Sequence, residues 1–154
     1  MFPTKNNFIL CILLFVSLPL QADISVVVNT ANSNMLDKVT LRKLFLGKIE
    51  HFPDGSPAMP LVHPEEEGIA QVFNLILLNK NKIQYKSYWA RIIFTGQGHP
   101  PETAYNDKEI INYIKNNPPA ISYINSASLT KEVKEVIRFK EALYQDYINS
   151  NSNN

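Results

Sequence analysis

The chain has 154 residues, 45% of them hydrophobic and 19% charged, with 15 Lys or Arg against 14 Asp or Glu and a formal net charge of +1. That balance excludes broad electrostatic capture of nucleic acid or of an anionic membrane by the chain as a whole, since both need a basic surface. A single cysteine, Cys11, excludes an internal disulfide framework, so stability must come from an apolar core. The length suits one domain.

Residues 1–22 carry one basic residue, Lys5, then an apolar run from Phe8 to Leu20 and a small residue at Ala22. This has the form of a secretory signal peptide. The run is 13 residues long, where a bilayer span needs roughly 20, and Pro19 interrupts its end. Cys11 lies inside the run without the small residues a lipoprotein cleavage site needs before it. Cleavage after Ala22 predicts an exported, periplasmic chain from Asp23 to Asn154, free of cysteine and with no membrane insertion, in which 14 basic side chains balance 14 acidic ones.

Ile24 to Val28 is a short β-branched run suited to a strand covered on both faces. Asn29 to Lys38 reads as a loop. Thr40 offers a hydroxyl as N-cap to a two-turn helix bearing Leu41, Leu44 and Phe45, which Gly47 ends. Pro53-Asp54-Gly55-Ser56 is a turn, because Pro fixes φ and Gly accepts positive φ. Met59 to Val62 is the next strand. After the acidic loop Pro64 to Glu67, Ile69, Val72, Phe73, Ile76 and Leu77 mark one helical face, with the glutamates at the positive end of that helix. Ile83 to Phe94 is another helix, whose Tyr85, Tyr88 and Trp89 read as core.

Thr95 to Tyr105, with two Gly and two Pro, reads as a loop. Asn106 followed by Glu109 is a capping pattern for a helix that Pro118 and Pro119 stop. Ala120 to Ile124 is a strand, and the alternation of Val133 to Phe139 suits a last, edge strand. Residues 141–154 form a polar tail ending in NSNSNN, too polar to pack. Strands separated by helices of this length imply parallel crossovers and a three-layer α/β arrangement, with a parallel or mixed sheet flanked by helices.

No residue set carries an enzyme's signature. The serines sit in no GxSxG or SxxK motif. His51, His63 and His99 lack metal-ligand spacing and read as surface or loop residues, so no metal site is expected. The Gly96-Gln97-Gly98 stretch follows a helix rather than a strand and is no dinucleotide fingerprint. No cofactor is implied. Arg91, beside that Gly-rich loop, has the chemistry for a bidentate oxyanion contact.

Three segments carry a resemblance: VTLRKLFLGKIEHFPDGSPAMPLV from Val39 to Val62, YWARIIFTGQGHPP from Tyr88 to Pro101, and NPPAISYIN from Asn117 to Asn125. In order and spacing they resemble the periplasmic phosphate-binding proteins that feed ABC importers, the type 2 periplasmic-binding fold. The resemblance covers only the second lobe of that bilobed family. It implies a non-catalytic solute-binding-like lobe that takes phosphate or another small oxyanion, with an ABC permease or a periplasmic protein as partner. In that family the anion is held at helix N-termini, partly by a Ser-Gly-Thr run. Here the corresponding stretch, Pro64 to Gly68, keeps the glycine and carries three glutamates. The ligand-binding residues expected on this resemblance are Thr40, Gly68, Arg91 and Thr95. The alternative is an interaction module on the same scaffold that has lost its ligand, pairing with a partner or as a homodimer through the face the missing lobe would have met.

Overall fold

The computed structural model describes residues 23–140, 142–144 and 146. The expected leader and the NSNSNN end lie outside the described residues. The elements run β1 (Ile24–Asn29), α1 (Lys38–Phe45), β2 (Met59–Val62), α2 (Gly68–Phe73), α3 (Lys82–Phe94), β3 (Glu102–Thr103), α4 (Asp107–Asn116), β4 (Ala120–Asn125) and β5 (Val133–Phe139). The strands form one mixed sheet in the order β3-β2-β4-β1-β5.

Parallel pairing is confined to β2 with β3 and β2 with β4, while β1 runs antiparallel to both β4 and β5. The expectation of a crossover between neighbouring strands therefore holds for β2 to β3 but not around β1. Periodicity gives a strand's faces and not its direction. The loop expected from Thr95 to Tyr105 also contains β3, two residues held by Leu61↔Glu102 and Val62↔Thr103 pairing.

Alternation along the central strands divides the core. Val26, Val28, Ile121, Tyr123 and Phe139 face α1, the α2 segment and α3, while Val27, Ala120, Ile124 and Val133 face α4. The sheet is thus covered on both sides, which is why β1 reads as a continuous apolar run. On the first face the ring of Phe73 stacks on Tyr123 at 3.7 Å and meets Phe45 edge-on at 4.9 Å. Such pairs contribute about 0.5–1.5 kcal/mol each beyond area burial.

Two helix starts are instructive. The N-cap of α1 is Asp37, whose carboxylate accepts from the Thr40 N–H at 2.7 Å, so Thr40 lies inside the helix and is not its cap. On α4, Asn106 accepts from the Glu109 N–H as the pattern predicted, while the Glu109 carboxylate accepts one residue further back, from the Tyr105 N–H. After Phe73 the helix widens into a π turn, Asn74–Leu78, which Asn79 ends in the left-handed region at φ 54°. Arg42 Nε donates to the Leu77 carbonyl of that turn at 2.7 Å, one of the groups such a turn frees. Gly47 also sits at φ +62°, with Trp89 across its α-carbon.

Candidate functional site

The C-terminal ends of the parallel strands β2 and β4 open on one edge of the sheet, the place where ligands of open α/β sheets sit. His63 leaves β2 there, Asn125 ends β4, Gly68 opens α2 and Asp107 opens α4. Of the two readings given for it, surface or loop, His63 takes the loop after β2 and at 5% exposed is not on the surface. Its Nε2 lies 3.2 Å from Asp107 Oδ1 and 3.2 Å from the Tyr123 carbonyl, and its backbone N–H donates to the Tyr123 hydroxyl at 3.3 Å. A ring nitrogen facing two acceptors carries the proton. Burial pushes the Tyr123 hydroxyl far upward in pKa, which keeps it neutral.

Asp107 gathers the other donors. Its Oδ2 accepts from the Asn125 N–H and from Asn125 Nδ2, both at 3.2 Å. Burial works to raise its pKa, but the hydrogen bonds from His63, Ser128 and Asn125 outweigh it and hold the carboxyl below the usual carboxylate range. The buried Oδ1 has no well-aligned hydrogen bond and relies on the His63 contact. A resident carboxylate thus occupies a set of donors of the kind an anion would use. The first-turn position on α4 favours its charge further.

Next to this network lies a cavity of about 300 Å³ lined by Ile24, Gly68, Gln71, Val72, Asn125 and Tyr144, among others. Gly68 has open space where a side chain would be, so the start of α2 is accessible. The glutamates expected to cap that helix do less than their position suggests. Glu67 is the N-cap but makes no side-chain cap hydrogen bond, and Glu65 pairs with Lys86 at 3.4 Å. A second polar cluster lies beside the network, where Ser25 bonds Ser126 and Glu135 at 2.6 Å each.

The expected ligand residues do not converge. Gly68 lines the edge cavity, Thr40 a separate groove with Asp37 and Lys134, and Arg91 a third with Lys48 and His99. Thr95 spends its hydroxyl on the carbonyls of Arg91 and Ile92 at the end of α3. From the sequence, His63 is weighed only as a metal ligand, and Asp107, Asn125 and Ser128 carry no expectation as site residues. The available signal was local: a histidine one residue past a strand, and an acid directly after a capping asparagine.

Fold and edge together define a single α/β lobe of the periplasmic-binding type. The chain resembles a structure from Clostridium perfringens described as a phosphate ABC transporter substrate-binding protein with bound phosphate, at TM-score 0.59 and 17% identity over 75% of this chain and 45% of that one. It resembles an ABC-type phosphate transport receptor from Vibrio cholerae at TM-score 0.59 and 16% identity, over 75% and 46%. PstS from Borrelia burgdorferi gives TM-score 0.55 and 16% identity, over 75% and 47%. The chain therefore spans less than half the length of these proteins, as one lobe of two. No protein-family model matches it, and no curated protein matches it significantly.

Proposed function

We propose that the protein is an exported, non-catalytic solute-binding-like lobe that engages a small oxyanion, phosphate foremost, at the edge where Gly68 opens α2 and Asn125 ends β4. The observation that carries the reading is the fold likeness to a phosphate-bound protein, with an open cavity at the strand ends where such a fold places its ligand. Residues 1–22 direct export to the periplasm, and an ABC permease is the natural partner of such a lobe. Of the expected ligand residues Gly68 belongs to this edge; Thr40, Arg91 and Thr95 belong to other surfaces. One lobe by itself encloses a ligand incompletely, so this chain titrated alone is expected to bind with a Kd of about 1 mM, equivalent to ~4 kcal/mol.

One observation supports the alternative, a periplasmic interaction module without a ligand. Asp107 already holds the donors of the edge, and Glu65 to Glu67 lead directly into the start of α2 at Gly68. A carboxylate about 4 Å from an anion repels it by roughly 4 kcal/mol at surface-like screening. Calorimetric titration of the secreted protein with phosphate, sulfate and acetate separates the two readings. Heat with a millimolar Kd supports the first, and its absence at saturating ligand removes it.

A further inference from the structure

Helix α3 is apolar on two opposite faces. Tyr85 and Trp89 pack inward with Tyr88 and Ile92 beside them. Outward, Ile83, Ala90 and Phe94 recur at spacings of seven and four residues, with the small Ser87 between them. Ile83 is 76% and Phe94 92% exposed. A helix with an apolar stripe toward solvent lacks a partner for that stripe.

Charge says which partner. Lys82 and Lys86 flank the stripe on one side, joined by the half-exposed Ile93, and Arg91 flanks it on the other. Helices α1 and α3 each carry three basic residues and no acid, so the chain's near-neutral total hides a local asymmetry. The Lys80 ammonium and the Arg91 guanidinium lie 5.3 and 5.9 Å from the centre of the Tyr88 ring, which holds both beside the helix. Acids meet this surface as well: Glu65, followed in the chain by Glu66 and Glu67, pairs with Lys86, and Glu50 lies in the groove that Lys48 and Arg91 share.

We infer that the outer face of α3 docks on an anionic lipid surface with the helix lying flat. Long apolar side chains that stand out singly from a helix, ringed by cations, are the chemistry of an interfacial helix. A second copy fits less well. Two-fold antiparallel pairing of the stripe sets each flank against its own copy, Arg91 beside Arg91 and lysine beside lysine, and like charges disfavour that arrangement. The inference concerns a surface distinct from the oxyanion edge and stands without it.

The test is flotation of the secreted protein, its N-terminus read by mass spectrometry, with vesicles of phosphatidylcholine alone or mixed equally with phosphatidylglycerol. The protein binds the anionic vesicles and leaves them in roughly 1 M salt, where the Debye length is about 3 Å. The pair Ile83→Ser with Phe94→Ser lowers binding about tenfold or more, as does Lys82→Gln with Arg91→Gln. These are surface changes, and circular dichroism verifies that each variant is folded. Absence of vesicle binding overturns the inference. So does equal binding to neutral vesicles, or binding that survives both pairs of changes, which would belong to the apolar run at residues 8–20. A Phe94-dependent dimer in light scattering without vesicle binding assigns the face to a second copy instead.

Discussion

Asp107→Ala tests whether the edge network holds the lobe together. Asp107 is 14% exposed at its side chain, so solvent screens it only partly. Removing it strips the acceptor from Asn125 N–H and Nδ2 and leaves His63 Nε2 with the Tyr123 carbonyl alone. A buried donor left without a partner costs about 1–3 kcal/mol. Loss of an acid from the first turn of α4 adds about 0.3–1 kcal/mol. The expected destabilisation is therefore about 1–4 kcal/mol. With a urea m-value of about 2 kcal/mol/M, the midpoint falls by about 0.6–2 M with m unchanged.

The effect also has a pH signature. Because the folded state holds this carboxyl below the usual carboxylate range, its stabilisation is fully present above about pH 4 and is lost as pH falls through the folded pKa. The gap between wild type and variant is wide at neutral pH and closes on acidification. A loss below about 0.5 kcal/mol at pH 7, within the range of ordinary surface changes, or a gap that widens in acid, refutes the reasoning.

Three further outcomes follow from particular contacts. Gly47→Ala places a Cβ 3.0 Å from Trp89 Cη2 at a residue with φ +62°, and thermal melting should register a loss of about 1–3 kcal/mol, whereas Gly68→Ala meets nothing and leaves stability within about 0.5 kcal/mol. Asp37→Ala removes the α1 cap and lowers the urea midpoint clearly more than Thr40→Ala; urea titration that ranks them the other way restores Thr40 as the cap. Tyr123→Phe keeps the Phe73 stack but takes the acceptor from the His63 N–H, and chemical denaturation should show a loss of about 1–2 kcal/mol.

What the sequence made legible is what short-range pattern encodes. The span Val133 to Phe139 forms β5 at a sheet edge, the capping asparagine at 106 starts α4, and the aromatic residues at Tyr85 and Trp89 are core. The cap of α1 was set too late because the buried apolar stripe begins only at Leu41, while the helix extends a turn further back through Lys38, an exposed Val39 and Thr40 to Asp37. Strand direction around β1 was hidden for the reason that alternation is the same read either way. The His63–Asp107 contact joins residues 44 apart in sequence, and no local rule links a buried histidine to an acid on another helix. The family resemblance pointed to Gly68 at the start of α2, a position the structure leaves open, but neither pattern nor resemblance could tell that Thr40 and Arg91 face different grooves.

The proposed solute site lies at the ends of β2 and β4. Titration of isotopically labelled protein with phosphate, followed by amide chemical shifts, tests it residue by residue. Shifts are expected at Gly68, Ile69, Gln71 and Asn125, saturating at millimolar phosphate, with only small changes at Thr40 and Arg91. Unmoved amides along that edge, or shifts gathered around Arg91 and His99, would contradict it.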